Sequence, residues 1–361
     1  MCVRTSPDSM QRSNVALLIS TYLFLSCGWS VNEICQVMDE VYRTVICYRT
    51  EGEGDCDHSI SIRDCLLGLE LAFNHLDTLD LTQFDVEELL CMEQPRNGDM
   101  NWIYPGKILA LAGPTQANWS IQKFVAYARE NKIGCMVRLN RPHYEASDVT
   151  KDGDIEHVEM FMHDGTNPTP QNVRDFIQIV ERMNNQGRAV AVHCRAGLGR
   201  TGTMIGAYLM FKYGRESLDK NHPSGCPCQY LSSEEVARAI IGFLRIMRPG
   251  SVLSGQPEFL EYISDVVMEA GRCNNLSLID FGDMNDELES VVDSIEMEFT
   301  STSTISSCES SQASIVEVRQ SKRLRVLAKG HLEAPVHHRP VSHAGRGHAA
   351  AKNCNVEIEK L

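Results

Sequence analysis

The chain has 361 residues, 43% of them apolar, and a formal net charge of −14. That length suffices for two ordinary domains with real cores, or one domain with extensions. The sign of the charge excludes nucleic acid and an anionic membrane as main partners, since both demand clustered Lys and Arg, and it leaves room for a basic peptide.

Residues 11–91 carry a mostly helical pattern. Its first apolar run, residues 13–27, follows Arg4 and Arg12 and ends in small residues, which taken locally is also the pattern of a signal-peptide core. The run is too short to span a bilayer. Fourteen cysteines without the regular spacing of a disulfide framework point instead to reduced thiols, hence cytosol or nucleus. Two further helical stretches, from Val31 and from Ile62, flank an acidic, Gly-containing segment at residues 51–57. The charged segment 84–99, which contains the turn signal Asn97-Gly98, reads as a connector.

From Trp102 onward short apolar strands alternate with helices, as in an α/β domain. Strands are expected at residues 108–112, 134–139, 157–162 and 188–193, and helices at 121–130, 170–183, 201–213, 234–247 and 257–269. Ser232 with Glu235 has capping-box spacing, and Pro257 suits a first helical turn. Beyond about Gly271 follow an acidic run, a Ser/Thr tract and the basic patch Lys322-Arg323-Leu324-Arg325. Such composition buries too little surface to offset its ordering entropy, so residues 271–361 are expected to form a disordered tail.

The chemistry concentrates in Val190-Ala191-Val192-His193-Cys194-Arg195-Ala196-Gly197-Leu198-Gly199-Arg200-Thr201-Gly202, a strand that passes through a glycine loop into a helix. Cysteine and arginine at this spacing are weak evidence alone, for Cys135 and Arg141 share it without any glycine between them. At Cys194 each neighbour has a task. Backbone N–H groups can wrap a phosphate where Gly197 and Gly199 permit close approach, with Arg195, Ala196 and Leu198 completing the loop. Arg200 can clamp two phosphate oxygens with its fork, and the helix N-terminus adds partial positive charge. These fields also favour an anionic sulfur, so nucleophile and anion cradle form one object. His193 is placed to orient the loop, and the Thr201 hydroxyl to stabilise the sulfur as it leaves. A phosphocysteine route needs an acid for the leaving oxygen. Asp164, in His163-Asp164-Gly165-Thr166-Asn167-Pro168, is the best placed. Asp152 and Asp154 precede the intervening strand and read as a solvated turn around Gly153. The route needs no metal and no cofactor.

At these residues the chain resembles the mitotic-exit dual-specificity phosphatases of the Cdc-fourteen family. The matching segments are HCRAGLGRTGT, RNGDMNWIYPGK, MVRLNRPHYEA and IMRPGSVL, and the likeness runs over residues 8–269. It implies an α/β fold of two tandem phosphatase-like domains, each a central sheet flanked by helices. The first (residues 1–84) would be non-catalytic and truncated, lacking strands before Gln11. A linker helix (85–98) would join it to the catalytic domain (99–270). The likeness makes the run at 13–27 a core helix. It implies hydrolysis of phosphoserine, phosphothreonine and phosphotyrosine, with phosphosites followed by proline preferred, in cytoplasm and nucleus during cell-cycle control. Cys194, Arg200 and Asp164 fall on the nucleophile, clamp and acid positions, and Gln256 on one that places water.

The departures concern specificity. Arg195 stands where lysine is usual, and Pro257 replaces the second of two glutamines. Among linker acids that would receive a substrate's basic side chain Glu93 remains, while Leu90 and Arg96 replace two others. An insertion at residues 216–230, with His222, Cys226 and Cys228, has no counterpart and reads as a surface loop, a metal site being the alternative. The competing functions are a phosphoinositide phosphatase and a phospho-binding pseudophosphatase scaffold. Leu198 stands where the former adds lysine, and the nucleophile and acid that the latter would lack are present.

Overall fold

In the computed structural model residues 4–5, 7–46, 60–80, 84–115, 119–217 and 231–282 are described, and they begin with three locally encoded helices. Helix α1 (Ser9–Leu25) opens on Asp8, whose carboxylate accepts from the N–H of Gln11 at 2.8 Å. Helices α2 (Val31–Tyr42) and α3 (Ile62–Asn74) each start with a capping box, Ser30 with Glu33 and Ser61 with Asp64. Ala16, Leu17 and Leu23 of α1 are buried, as a core helix requires. Among the described residues no helix is long and apolar enough to cross a membrane.

A short helix α4 (Val86–Met92), capped by Asp85, and a 3-10 turn at Pro95–Asn97 lead into the sheet. Its strands are β1 (Met100–Tyr104), β2 (Ile108–Leu111), β3 (Ile133–Arg138), β4 (Glu156–Glu159) and β5 (Ala189–His193). They lie in the order β1-β2-β5-β3-β4, with β1 antiparallel to β2 and the other neighbours parallel. Strand β1 was not among the expected strands. Its five residues end at Pro105-Gly106, and so short a run next to turn residues gives alternation little to act on.

The pleat sorts side chains between two cores. Leu109, Leu111, Met136, Ala189 and Ala191 face helices α5 (Ile121–Glu130) and α6 (Ser147–Thr150) through Phe124, Val125 and Val149. Ile108, Ala110, Val137, Val190 and Val192 face the other way. There they meet α7 (Pro170–Asn185) and α8 (Gly199–Glu216), with α9 (Ser233–Met247) and α10 (Gln256–Arg272) packed behind. The capping box expected at the start of α9 is present: Ser232 N–H donates to Glu235 Oε2 at 3.0 Å and Glu235 N–H to Ser232 Oγ at 3.2 Å.

Helices α1 to α3 belong to this second core, which runs without a break from Leu17 and Ile34 to Phe243 and Leu260. The seam is the crossing of α3 with α9. A Cβ added at Gly68 would lie 2.1 Å from the carbonyl oxygen of Ala239, and one added at Gly242 would lie 2.9 Å from Cα of Cys65. Two glycines thus let the backbones touch where any side chain would hold them apart. The described residues before β1 hold no strand beyond a single bridge at Ile60.

The end of the fold lies later than expected. Helix α10 continues to Arg272, a 3-10 turn follows at Leu276–Leu278, and Ile279 is buried while its carbonyl accepts from Arg174. Phe281 packs edge-on against Phe259 at 5.4 Å. Residues 271–282 are therefore corrected from tail to structured domain, because apolar Ile279 and Phe281 find buried partners. The rest of the expected tail, with Lys322 to Arg325, and residues 218–230 of the insertion lie outside the described residues.

Candidate active site

The parallel strands β2, β5, β3 and β4 all end at one edge of the sheet, the edge where open α/β sheets hold their ligands. Strand β5 ends at His193, and residues 194–198 turn from it into α8. Gly197 has φ +68, and a Cβ there would lie 2.0 Å from the carbonyl oxygen of Leu111, so only glycine fits. The loop's carbonyls are engaged from outside. Gly113 N–H donates to Arg195 O at 2.9 Å, and Arg248 reaches Ala196 O and Gly197 O at 3.0 and 2.7 Å. The N–H groups of Ala196, Gly197 and Leu198 bond no other group among the described residues.

Cys194, 4% exposed, stands at the mouth of this loop, and Arg200 and Thr201 are buried in the first turn of α8. Arg200 Nη1 donates to Met162 O at 2.8 Å, and its Nη2 pairs with Asp164 Oδ1 at 2.8 Å. Its Nε and the Thr201 hydroxyl are buried without a hydrogen-bond partner. A buried polar atom left unsatisfied costs about 1–3 kcal/mol, so both are acceptor-seeking or donor-seeking groups in an otherwise paired site. The Asp164 side chain is 80% exposed on a loop turned by Gly165 at φ +77. Its ion pair brings it over the same arginine.

Under the loop runs a buried polar relay. His193 Nδ1 lies 2.8 Å from Cys194 O, and a carbonyl only accepts, so the proton sits on Nδ1. His193 Nε2 then accepts from the Tyr144 hydroxyl at 2.7 Å, and that hydroxyl accepts from His157 Nε2 at 3.1 Å. Burial holds His193 neutral, down to about 3 from an ordinary 6.5, and burial with the nearby Arg138 lowers His157 to about 4. Arg138 fixes the tyrosine, lying 4.6 Å from its ring and donating to its carbonyl at 2.7 Å. Burial raises the Tyr144 hydroxyl above its usual range, which keeps it a donor.

Thus Cys194, Arg200, Thr201, His193 and Asp164 gather around one loop, with Arg195 exposed on its rim and Ala196, Leu198 and Gly199 in its wall. Two further expected site residues, Gln256 and Glu93, are buried and hydrogen-bonded. Gln256 is 1% exposed and gives both ends of its amide to backbone, Nε2 to Thr166 O at 3.2 Å and Oε1 to Leu253 N–H at 3.1 Å. Pro257 stands in the first turn of α10, and the amide lies against Gly199, where an added Cβ would be 2.8 Å from its Oε1. Glu93, expected to face a basic side chain, is 4% exposed beneath the linker, and its Oε1 accepts from Asn101 Nδ2 at 3.1 Å. Asp152 and Asp154 pair with Arg129 beside a hollow of about 700 Å³ at the opposite end of the sheet. Tyr144, His157 and Arg248 were given no role by sequence reasoning. Tyr144 and Arg248 lie inside motifs already noted, MVRLNRPHYEA and IMRPGSVL, and only the fold brings them to the loop.

Residues 112–214 match the family model described as "Polymorphic toxin system, DSP-PTPase phosphatase". Residues 1–72 match "Dual specificity protein phosphatase, N-terminal half". Dual specificity protein phosphatase CDC14AB of Danio rerio is 34% identical over 273 residues, 71% of this chain and 39% of that protein. Dual specificity protein phosphatase CDC14A of Homo sapiens is 34% identical over 270 residues, 70% of this chain and 40% of that protein. The CDC14 homolog of Schizosaccharomyces pombe is also 34% identical, covering 71% of this chain and 45% of its own length. The chain therefore spans less than half the length of these relatives. Among solved structures, kinase associated phosphatase is 16% identical with a TM-score of 0.35, covering 44% of this chain and 86% of that one.

Proposed function

The chain belongs to the CDC14 family of dual-specificity protein phosphatases, and from that premise we propose that it hydrolyses phosphoserine, phosphothreonine and phosphotyrosine in proteins through a phosphocysteine intermediate. The observation that carries this reading is the loop of residues 194–198, in which the N–H groups of Ala196, Gly197 and Leu198 bond no other group among the described residues while Arg200 Nε and Thr201 Oγ1 stand buried without a hydrogen-bond partner beside them. A phosphate dianion is the ligand that satisfies such a set.

In the first step the sulfur of Cys194 attacks phosphorus, an S–P bond forms, and the bond from phosphorus to the substrate oxygen breaks. Asp164 gives that oxygen its proton, while Arg200 and the loop amides hold the equatorial oxygens. In the second step Asp164 takes a proton from water, the water oxygen attacks phosphorus, and the S–P bond breaks. Thr201 then donates a hydrogen bond to the departing sulfur. Before substrate arrives Asp164 pairs with Arg200, so the incoming phosphate displaces a carboxylate from the clamp, and that carboxylate, 80% exposed, takes up a proton from solvent before it gives one to the leaving oxygen.

The substrates proposed are phosphoproteins with proline after the phosphosite, in cell-cycle control in cytoplasm and nucleus. The intact segment from His193 to Thr203 and the free thiols of Cys35, Cys91, Cys135 and Cys273 support that reading. It is tested with phosphopeptides varied at the +1 and +3 positions. Cys194→Ser should abolish turnover yet retain phosphopeptide binding, because Arg200 and the loop amides remain. Turnover by the serine variant near the wild-type rate would refute the nucleophile, and a requirement for a divalent ion would indicate another class of phosphatase.

A further inference from the structure

We infer that Arg248 is the positioning residue that sets the shape of the phosphate loop from beneath, an inference that rests on the reading of residues 194–200 as a phosphate cradle. A loop can aim successive N–H groups at one anion only if the intervening carbonyls face the other way. Those carbonyls are then turned into the protein, where they need donors. Arg248 supplies two of them from one side chain, Nε to Gly197 O at 2.7 Å and Nη2 to Ala196 O at 3.0 Å. The guanidinium is rigid and planar, so one group fixes both carbonyls relative to each other.

The fork is itself braced. Arg248 Nη1 donates to Asp99 Oδ1 at 3.0 Å and to Asn101 Oδ1 at 2.7 Å. Because Asn101 accepts with Oδ1, its Nδ2 is the donor to Glu93 Oε1. The loop is thereby tied through Arg248 and Asn101 to the end of α4, along a path of side chains of which Arg248, Asn101 and Glu93 are each no more than 4% exposed. Arg248 is brought there by the end of α9: it leaves the helix at φ −141, ψ 89, and Pro249-Gly250 prevents the helix from continuing. The carboxylate of Asp99 balances the guanidinium charge, so the cation can be buried without a strong preference for any other partner.

A lysine keeps the charge but cannot span both carbonyls as a fork, and a methionine of similar length has no donor at all. The test compares Arg248→Lys, Arg248→Met and Asn101→Leu by inhibition with inorganic orthovanadate, by kcat and KM on an aryl phosphate, and by Tm. Arg248→Lys should raise the vanadate inhibition constant and lower kcat/KM, each by at least about tenfold, with Met worse. Asn101→Leu, which removes the shorter of the two bonds that brace Nη1 and leaves the Asp99 pair and the carbonyl bonds, should shift both severalfold in the same direction. A purely structural role would lower Tm and leave the inhibition constant of the folded protein unchanged, which overturns the inference. If the Arg248 variants do not fold, Asn101→Leu decides, and an unchanged inhibition constant there overturns it too. A wild-type protein that neither turns over nor binds vanadate sinks the phosphatase reading and this inference together. A vanadate-sensitive wild type with an indifferent Arg248→Lys sinks the inference alone.

Discussion

Asp164 and the His193 relay illustrate how single residues divide the labour of the site. The exposed carboxylate is held at Arg200; in the proposed mechanism phosphate displaces it, it takes up a proton from solvent, and it then serves as the acid. Asp164→Asn should lower kcat by roughly two to four orders of magnitude on phosphoserine peptides. The loss should be much smaller on an aryl phosphate, whose leaving group needs less protonation, and equal losses on both would assign Asp164 a structural role. The relay makes a different demand, on stability. The folded values of His193 and His157, about 3 and about 4, lie below their ordinary 6.5. As pH falls, the unfolded chain therefore binds protons first. The stability linked to these residues is intact above about pH 6.5 and drains away as pH drops through that window, on the order of 3 kcal/mol for His193 by pH 4. Melting curves at pH 7 and pH 5 should show a clear fall in Tm, and His157→Gln should flatten it. A Tm that does not move between those pH values would mean that these histidines titrate in the fold as they do in the unfolded chain.

At the scale of elements the seam between α3 and α9 is the most exacting contact, since its two glycines admit no side chain. Gly242→Val should separate the helices and cost at least about 2–3 kcal/mol, read as a lower denaturation midpoint. A variant as stable as wild type would show that the crossing can slide. These glycines also mark where the sequence stops being readable, because isolated glycines inside helical patterns look like local cost rather than like a distant contact. The strands that end at the site were legible, being apolar runs bounded by polar turns, and so was Cys194 with its loop, since all its parts are contiguous. The start of α9 was legible because Ser232 and Glu235 have capping-box spacing. What was not legible depends on juxtaposition. Arg248 lies far along the chain from Ala196, Tyr144 from His193, and Glu93 owes its burial to Asn101 on a strand that pattern alone did not announce. The backbone partners of Gln256 depend on juxtaposition in the same way: its position in the chain matches a water-placing residue, and only packing shows its amide bonded to Thr166 O and Leu253 N–H.

For the whole molecule, charge placement bears on which phosphoproteins are handled well. If linker acids receive a substrate's basic side chain, as the resemblance implies, then with Glu93 turned inward and Leu90 and Arg96 at two such positions we propose a weakened preference for a basic residue three places after the phosphosite. Arg96 is exposed, so Arg96→Glu should raise kcat/KM severalfold for peptides with Lys or Arg at +3, in keeping with about 0.2–1 kcal/mol for an exposed pair. The gain should shrink at high salt, and neutral peptides should not change. Wild-type discrimination of a hundredfold in favour of +3 Lys would place the determinant elsewhere. The continuous core has a consequence of another kind. A shorter gene starting near residue 85 would encode α9 without its cover, leaving the backbone around Ala239 and Phe243 bare to water and to other copies. The amino-terminal helices and the sheet with its helices are thus tied as one cooperative body: a change that loosens α3 from α9 should lower the stability of both together.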